Sequence, residues 1–411
     1  MVGTGVFTSL GFQVGELPSG FTLLVLWLLG GVCALCGALA YGELAAALPR
    51  SGGEFHFLGA IYHPAAGTLA GWLSIAAGFA APVALAAMAF GEYFSGIAPD
   101  ASPEWLSVGL VIIVTLVHLR GVEWGSVFQN AATLFKVLLI VLFIAAGFLM
   151  GDSQPIRFLP EPGDDRLLLS APFAVSLVYV MYAYSGWNAS AYIAGEIRDP
   201  ARNVPLSLTL GTLLVTALYL GLNATFLRAA PLAELEGEID VGRVAAIPIF
   251  GPEGGRIISG LICIGLVSTV SAMTWIGPRV GAAMGEDLPA LRWLARRSAS
   301  GVPAVAILFQ TSLVAVLLLT GTFEAVLRAV QFSLTLCSAF TVAGVFVLRW
   351  TRPDLPRPYR TWGYPVTPAL FLLISAWMLW HIAAEHPLES IAGLLVMLFG
   401  LVLYLLRPGE S

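Results

Sequence analysis

Long apolar runs, separated by short stretches that carry charged residues, proline or glycine, dominate the chain. A helix that spans a bilayer needs about 20 predominantly apolar residues, so each such run predicts a membrane-spanning helix. The runs predict eleven full spans, near residues 21–48, 67–98, 105–119, 124–150, 171–195, 205–227, 256–278, 302–320, 323–348, 365–384 and 388–406. The predicted fold class is therefore an all-α polytopic membrane protein.

The apolar segment ahead of the first full run is too short to cross a membrane. Residues 2–15 would form a helix of about 14 residues that rises about 21 Å, whereas the hydrocarbon core is about 30 Å thick. We expect this segment to be half of a truncated first span. On this interpretation Met1 is an internal methionine of a longer protein, and the preceding half-helix is missing from the sequence.

The composition excludes a soluble globular protein. Of the 411 residues, 58% are hydrophobic and 11% are charged, whereas a soluble domain has about a quarter of its residues charged. We therefore treat residues 1–411 as one transmembrane domain whose partner is the lipid bilayer. The net charge of −5 provides no basic face for a nucleic acid. The four cysteines lie in apolar runs, so we expect no disulfide, metal site or cofactor.

The distribution of arginine predicts the orientation of the chain. With the C-terminus inside, thirteen arginines lie on the cytoplasmic side and six on the opposite side, in agreement with the positive-inside rule. We therefore predict a multi-pass protein of the cytoplasmic (cell) membrane with a cytoplasmic C-terminus.

Glycine-containing interruptions occur at two positions about 180 residues apart. Gly3 and Gly5 interrupt the first segment, and Ser185 and Gly186 interrupt the fifth full run, which is span 6 when the half-segment counts as span 1. Paired interruptions in corresponding spans indicate an inverted-repeat transporter with its substrate site at the midplane. The alternative explanation is that glycine is common in membrane helices because it permits close packing.

Unwound backbone at these breaks suits an α-amino acid. A half-helix that begins after Gly5 would point its free N–H groups at a carboxylate, and Thr4 would add a hydroxyl donor. The carbonyl groups freed before Ser185 would suit an ammonium group. One small zwitterion carries both groups.

Four charged residues within or near the spans are candidates for a role in the membrane. The only lysine, Lys136, lies near the middle of the apolar run 124–150, where an ionisable group is costly without partners. This position favours a role in coupling or gating, and the alternative is a static contact with helix-end carbonyl groups. Glu43, Glu92 and Glu196 lie near span ends, where we expect them to pair with loops or to reach the interface.

Six segments carry a resemblance to a known family. They are GTGVF (3–7), YGELAAALPRSGGEFHFL (41–58), QNAATLFK (129–136), YSGWNASAYIAGEIRDPARNVP (184–205), GPRVGAAMGED (277–287) and RPDLPRPYRTWGYPVTP (352–368). Together, and in this order, they resemble the amino acid–polyamine–organocation (APC) superfamily. Within it, the chain is similar to the L-type and alanine/serine/cysteine exchangers.

The resemblance implies a 12-span fold that works by alternating access. Spans 1–5 (residues 1–170) and spans 6–10 (171–348) would form a five-plus-five inverted repeat, with discontinuous spans 1 and 6. Spans 11 and 12 would follow in residues 349–411.

The resemblance also assigns roles to individual residues. The substrate carboxylate would bind the amides of Gly3, Thr4 and Gly5. The ammonium group would bind carbonyl groups at Tyr182, Ala183 and Ser185, with Tyr182 as an aromatic gate. Lys136 would bridge span 1 to span 8, where Ser268 and Thr269 are its candidate neighbours.

Secondary active transport of amino acids, by exchange or by proton symport, is the function that these observations favour. We expect neutral substrates because no acid lies clearly in the inferred pocket. The alternatives are a cationic amino acid or polyamine permease and a non-transporting amino-acid sensor on the same scaffold. An intramembrane enzyme is disfavoured because the HExxH, GxSG and Walker A motifs are absent from the sequence.

Overall fold

A computed structural model describes residues 2–121, 125–150, 154–298 and 301–406, so Met1, Trp124 and Arg407 lie outside the described residues. The described part of the chain is helical and contains no β-strand. Eleven long helices follow one another, and we number them in chain order. They are α1 (Gly20–Ala47), α2 (Pro64–Ser95), α3 (Pro103–Leu119), α4 (Gly125–Leu149), α5 (Ala171–Tyr184), α6 (Pro200–Ala229), α7 (Val241–Asp287), α8 (Ala304–Thr320), α9 (Phe323–Thr351), α10 (Val366–Glu385) and α11 (Pro387–Leu405).

Each apolar run of the sequence contains one of these helices. By length and composition, eight helices within the described ranges could cross a membrane, and α3, α5 and α8 are apolar but shorter. Helix α5 ends at Tyr184, directly before the break that the sequence predicts at Ser185 and Gly186 inside the run 171–195. Helix α7 extends well beyond the predicted run 256–278, and its backbone bends at Gly251, where φ is 77°.

Local signals set the ends of several helices. Ser102, Ser170 and Thr322 precede α3, α5 and α9, and each side-chain oxygen accepts a hydrogen bond from a backbone N–H in the first turn of its helix. Such capping satisfies donors that the helix cannot pair internally. Helices α2, α3, α6 and α11 each begin with proline, which has no N–H to leave unpaired.

Small residues bring the central helices together. A Cβ atom added to Gly30 of α1 would lie 2.3 Å from the side chain of Val180 in α5, and one added to Gly31 would lie 2.5 Å from Thr216 of α6. Close backbone approach at such positions is typical of packing between membrane helices. Large apolar side chains are exposed on outer helices instead, among them Ile113, Leu142 and Leu319. This distribution is expected of a bundle that faces lipid.

Several short elements complete the bundle. Residues Gly5–Thr8 form one helical turn that continues as a 3₁₀ turn over Ser9–Phe12. A helix of eight residues, Glu54–Ile61, packs between α2 and α9, and the middle of α2 contains a π-helical turn over Ser74–Phe79. The remaining short helices are Asp164–Leu168, Ala189–Tyr192, Ala194–Glu196, Leu232–Leu235 and Pro289–Ala295.

Candidate functional site

A cavity of about 240 Å³ lies in the bundle where α5 ends. Its walls come from the π-helical turn of α2, from the end of α5 and the residues after it, and from α7 and α9. Most of the lining is apolar and includes Phe79, Tyr182, Met273, Ile276 and Leu334. Pockets for drug-sized ligands occupy roughly 300–1,000 Å³, so this cavity suits a smaller molecule.

The chain leaves helical geometry beside this cavity. Helix α5 ends at Tyr184, Ser185 is extended, Gly186 has a φ of 86°, and a short helix begins at Ala189. Positive φ at position 186 favours glycine because a side chain would be strained there. Backbone groups are therefore released from the helical pattern at the edge of a cavity, where a ligand can bind them.

The predicted ammonium-binding residues lie at this break. Tyr182 and Ser185 line the cavity, whereas Ala183 is not part of the lining. The carbonyl oxygen of Tyr182 accepts a hydrogen bond from the N–H of Ser185 (2.9 Å), and that of Ala183 accepts one from the hydroxyl of Tyr219 (3.1 Å). A carbonyl oxygen has a second lone pair, so both can accept one more hydrogen bond.

The predicted carboxylate-binding segment lies behind the same wall. A Cβ atom on Gly5 would lie 2.4 Å from the Cα atom of Ala183, so the two interrupted segments touch at their backbones. The buried hydroxyl of Thr4 has no hydrogen-bond partner among the described residues, although the hydroxyl of Tyr182 lies next to it. Gly3 to Gly5 are not among the lining residues of the cavity.

Tyr219 of α6 is a site residue that the sequence analysis missed. Its buried hydroxyl donates to the carbonyl of Ala183 and lies against the backbone of Gly3, so it contacts both interrupted segments. Its position in a long apolar helix gave no signal that separates it from an ordinary core tyrosine.

Lys136 connects α4 to two other parts of the bundle. Its side chain is 7% exposed, and its ammonium group donates to the carbonyl oxygen of Val2 (3.1 Å). Its aliphatic stem packs on Gly265 of α7. Ser268 exchanges hydrogen bonds with Gln129, and the hydroxyl of Thr269 donates to the carbonyl of Gly265. The lysine therefore joins the first segment to α7, and among the described residues its ammonium group donates to Val2 rather than to Ser268 or Thr269.

Glu43 pairs with a loop, as the sequence analysis expects. Its carboxylate accepts two hydrogen bonds from Arg349 (2.6 and 2.8 Å) and two from the N–H and hydroxyl of Thr361 (both 2.7 Å). Glu92 is partly buried at the end of α2, and the side chain of Glu196 lies outside the described residues. Glu43 thus fastens the 352–365 loop to α1 and α9.

The expectation that no acid lies in the pocket was wrong, because Glu54 lines the cavity. Its side chain is 1% exposed and accepts hydrogen bonds from five residues on four parts of the chain. The donors are Tyr41, Asn188 (3.5 Å), Tyr192 (3.4 Å), Cys337 (3.3 Å) and Ser338 (2.9 Å). The sequence signal for Glu54 was its position directly after Gly52 and Gly53 and before the apolar residues of a short helix.

The described residues contain no cluster of three or more His, Cys, Asp and Glu side chains that could hold a metal ion. Cys33, Cys36, Cys263 and Cys337 are all buried and free. The chemistry offered by the cavity is therefore that of backbone groups, hydroxyls, side-chain amides, aromatic rings and one carboxylate.

Comparison with known proteins identifies the family. The family model described as amino acid permease matches residues 1–404. The chain belongs to the amino acid permease family. This confirms the resemblance to the APC superfamily, so the permease is a multi-pass membrane transport protein and not an enzyme.

Named relatives of this permease transport amino acids. The serine/threonine exchanger SteT of Bacillus subtilis is 26% identical over 411 residues, which cover 98% of this chain and 92% of SteT. The human b(0,+)-type amino acid transporter 1 is 26% identical, with 99% and 84% of the two chains covered. The mouse Asc-type amino acid transporter 1 is also 26% identical, with 99% and 78% covered. These names support an amino acid as the substrate of the permease.

Proposed function

We propose that this permease carries small, neutral L-amino acids across the cytoplasmic membrane by secondary active transport. The observation that carries this proposal is the small, largely apolar cavity at the point where α5 breaks. Released backbone groups can bind the polar ends of an amino acid, and the apolar lining suits an uncharged side chain.

The proposed fold is the 12-span arrangement with two inverted repeats of five spans. Span 1 would be discontinuous at Gly3–Gly5 and span 6 at Ser185–Asn188. Two features support this assignment: the short helical turns around the first segment, and the interval between Tyr184 and Ala189 that interrupts the second. The close contact between Gly5 and Ala183 supports an arrangement in which the two breaks would lie side by side.

Both polar groups of the substrate would bind where these breaks meet. The amides of Gly3, Thr4 and Gly5 would hold the carboxylate, and the unpaired hydroxyl of Thr4 would donate to it. Carbonyl groups at Tyr182, Ala183 and Ser185 would hold the ammonium group. Tyr182 stands between the cavity and Thr4, so movement of its ring would open a path from one to the other.

Lys136 would couple this site to the rest of the bundle. Its contacts with Val2 and Gly265 hold the first segment against α7. When span 1 moves during alternating access, the hydrogen bond to Val2 would have to break or move with it. Ser268 and Thr269 would form the neighbouring part of α7 in that rearrangement.

Transport would run as exchange or as proton symport, with the C-terminus in the cytoplasm. The thirteen arginines on the predicted inner side support this orientation. The name of SteT, a serine/threonine exchanger, supports serine and threonine as the first substrates to test.

A binding panel tests the proposed substrate class. A ligand that binds only the folded protein raises its melting temperature, so purified permease is heated with alanine, serine, threonine, leucine, lysine, arginine or a polyamine. Small neutral L-amino acids are expected to stabilise the protein, and their D-enantiomers serve as matched controls. Stabilisation by none of these amino acids would contradict the proposal.

Glu54 favours a second candidate, a permease for cationic amino acids or polyamines. A carboxylate in the cavity wall could attract a basic side chain. The same panel separates the two candidates, since stabilisation by lysine, arginine or a polyamine, without stabilisation by alanine or serine, would select the second.

A further inference from the structure

Glu54 differs from the other buried acids of the permease. The described residues include four acids with almost completely buried side chains, namely Glu43, Glu54, Asp164 and Asp240. Arg349 pairs with the first and Arg243 with the last. Asp164 accepts hydrogen bonds from the backbone of Glu161 and from Thr22. Glu54 is the acid among these four that lines the cavity, and within the described ranges no arginine, lysine or histidine forms an ion pair with it.

A buried carboxylate without a positive partner is costly while it remains ionised. Two species could neutralise it: a cation from the cavity or a proton. An ionised carboxylate offers about four lone-pair sites, and five donors already occupy those of Glu54. An ammonium or guanidinium group can only donate and would have to displace some of these donors, whereas a proton needs only one hydroxyl of the shell to turn and accept instead.

The shell around Glu54 suits both protonation states. The hydroxyls of Tyr41, Tyr192 and Ser338 can donate to a carboxylate, or rotate and accept from a carboxylic acid. Arginine and lysine have no such acceptor, so a shell made of them would fix the ionised form. The hydrogen-bond network can therefore remain intact when a proton binds.

The titratable groups that face Glu54 are all neutral near pH 7. They are the phenols of Tyr41 and Tyr192, on α1 and on the short helix Ala189–Tyr192, and the thiol of Cys337 on α9. On the short helix of Glu54 itself, the ring of His56 packs on Phe57 and lies near Arg50. Any change of charge at this place is therefore centred on Glu54.

Two hydrogen bonds fasten the loop beside Glu54 to the chain near Tyr192, which lines the cavity. The N–H of Gly52 donates to the carbonyl of Tyr192 (3.0 Å), and the N–H of Gly195 donates to the hydroxyl of Ser51 (3.0 Å). A Cβ atom on Gly53 would lie 2.6 Å from the ring of Tyr192. The loop of residues 51–53 thus lies directly on the segment that follows the break of α5. Separation of the two would expose Glu54 to water.

We propose that Glu54 is the proton-binding group of the transport cycle. A proton from the cavity binds a carboxylate oxygen and forms the neutral acid while the loop of residues 51–53 is closed. The O–H bond breaks and the proton passes to water when that loop separates from Tyr192. This proposal rests on the proposed transport function. It assigns the binding of the coupled proton to Glu54, whereas Lys136 keeps its role as the link between the first segment and α7.

The decisive experiment separates exchange from proton-driven uptake. Wild type, Glu54→Gln, Lys136→Ala and Glu161→Gln are reconstituted in liposomes. Glu161→Gln makes the same chemical change at an exposed loop position and is the matched control. Labelled serine uptake is measured with trapped serine and no gradient, and then with an inward gradient of one pH unit. One coupled proton then allows at most about tenfold accumulation.

For wild type and Glu161→Gln, we expect the gradient to accelerate uptake and a protonophore to abolish the acceleration. For Glu54→Gln, we expect the gradient to give no acceleration over the exchange rate that the same variant shows without a gradient. The proposal would be overturned if the gradient accelerated uptake by Glu54→Gln as much as uptake by wild type. It would also be overturned if only Lys136→Ala lost the acceleration. Failure of wild type to exchange any amino acid would instead contradict the proposed function.

A second measurement does not depend on a variant that folds. Wild-type liposomes are placed in weakly buffered medium, and a pH-sensitive dye reports the medium after serine is added. We expect the medium to become more alkaline as protons enter with serine. Serine uptake without a pH change would overturn the role of Glu54 whatever the variants do.

Discussion

Gly5 contacts Ala183 at the backbone, where the first segment of this permease meets the end of α5. The Cα atom of Ala183 lies 2.4 Å from where a Cβ atom on Gly5 would be, which is closer than any real side chain tolerates. Glycine at position 5 is therefore required by packing as well as by the proposed carboxylate site. These two requirements lead to the same experiment.

Gly5→Val is expected to reduce amino acid uptake in liposomes to background, because the side chain would push the two segments apart. Gly109→Val is the matched control, since nothing lies within 4 Å of a Cβ atom on Gly109 of α3. The control should transport like wild type and show whether valine in place of glycine is itself harmful. Normal uptake by Gly5→Val would mean that the site is misplaced.

Lys136→Ala is expected to reduce the maximal rate of uptake more than the apparent substrate affinity. The ammonium group contacts Val2 and the stem contacts Gly265, whereas the cavity lining does not include the lysine. Loss of a hydrogen bond from a charged donor costs about 1.5–3 kcal/mol, which corresponds to about a tenfold or greater loss of rate if the bond forms during turnover. Initial rates over a range of serine concentrations measure both parameters. An unchanged maximal rate would leave Lys136 with a structural role only.

At the scale of whole elements, Glu43 holds α1, α9 and the 352–365 loop together. Glu43→Ala removes four hydrogen bonds and leaves Arg349 without its buried partner. Breaking a buried ion pair costs on the order of 3 kcal/mol, so we expect the melting temperature in detergent to fall by about 5 °C or more.

Glu161→Ala is the control for this prediction. Glu161 forms a pair with Arg157 in which both side chains are at least half exposed, and such pairs contribute about 0–1 kcal/mol. Equal melting temperatures for Glu43→Ala and wild type would show that the pairing does not stabilise the bundle.

The long helices were predictable from sequence, but several short elements were not. An apolar run of about 20 residues can be recognised from the local sequence alone, and each run corresponds to one of the long helices. The helix Glu54–Ile61 is too short for that signal, and the π-helical turn in α2 has no distinct sequence pattern. The end of α5 at Tyr184 was predictable because Ser185 and Gly186 mark a break inside the run 171–195.

The candidate site was predictable from the residues alone only where glycine marks a break in a helix. A glycine-containing break led to Ser185, and the resemblance to the family led to Tyr182; both residues line the cavity. Glu54 and Tyr219 escaped because their positions depend on contacts that are distant in the chain, 134 and 284 residues away for Glu54 and 36 residues away for Tyr219. For Glu54, burial by α9 and by the segment after α5 turns a residue of a short connecting helix into part of the cavity wall.

At the scale of the whole molecule, the orientation in the membrane can be tested by cysteine labelling. The four native cysteines are buried, so they give little background with a membrane-impermeant maleimide. Asp354→Cys and Glu161→Cys place a thiol at exposed positions of two different loops. We expect Glu161→Cys to react in intact cells and Asp354→Cys to react only after the membrane is opened. The reverse pattern would contradict a cytoplasmic C-terminus.

Every role proposed for the residues of this site depends on the transport of amino acids across the membrane. The most direct measurement is uptake of labelled serine by liposomes that contain the purified wild-type permease, with unlabelled serine trapped inside or with an inward proton gradient. We predict saturable uptake. At least one of these two conditions should raise it strongly above the uptake by permease liposomes that contain no serine and have no gradient. Binding of serine in detergent with no uptake above protein-free liposomes under either condition would contradict the account.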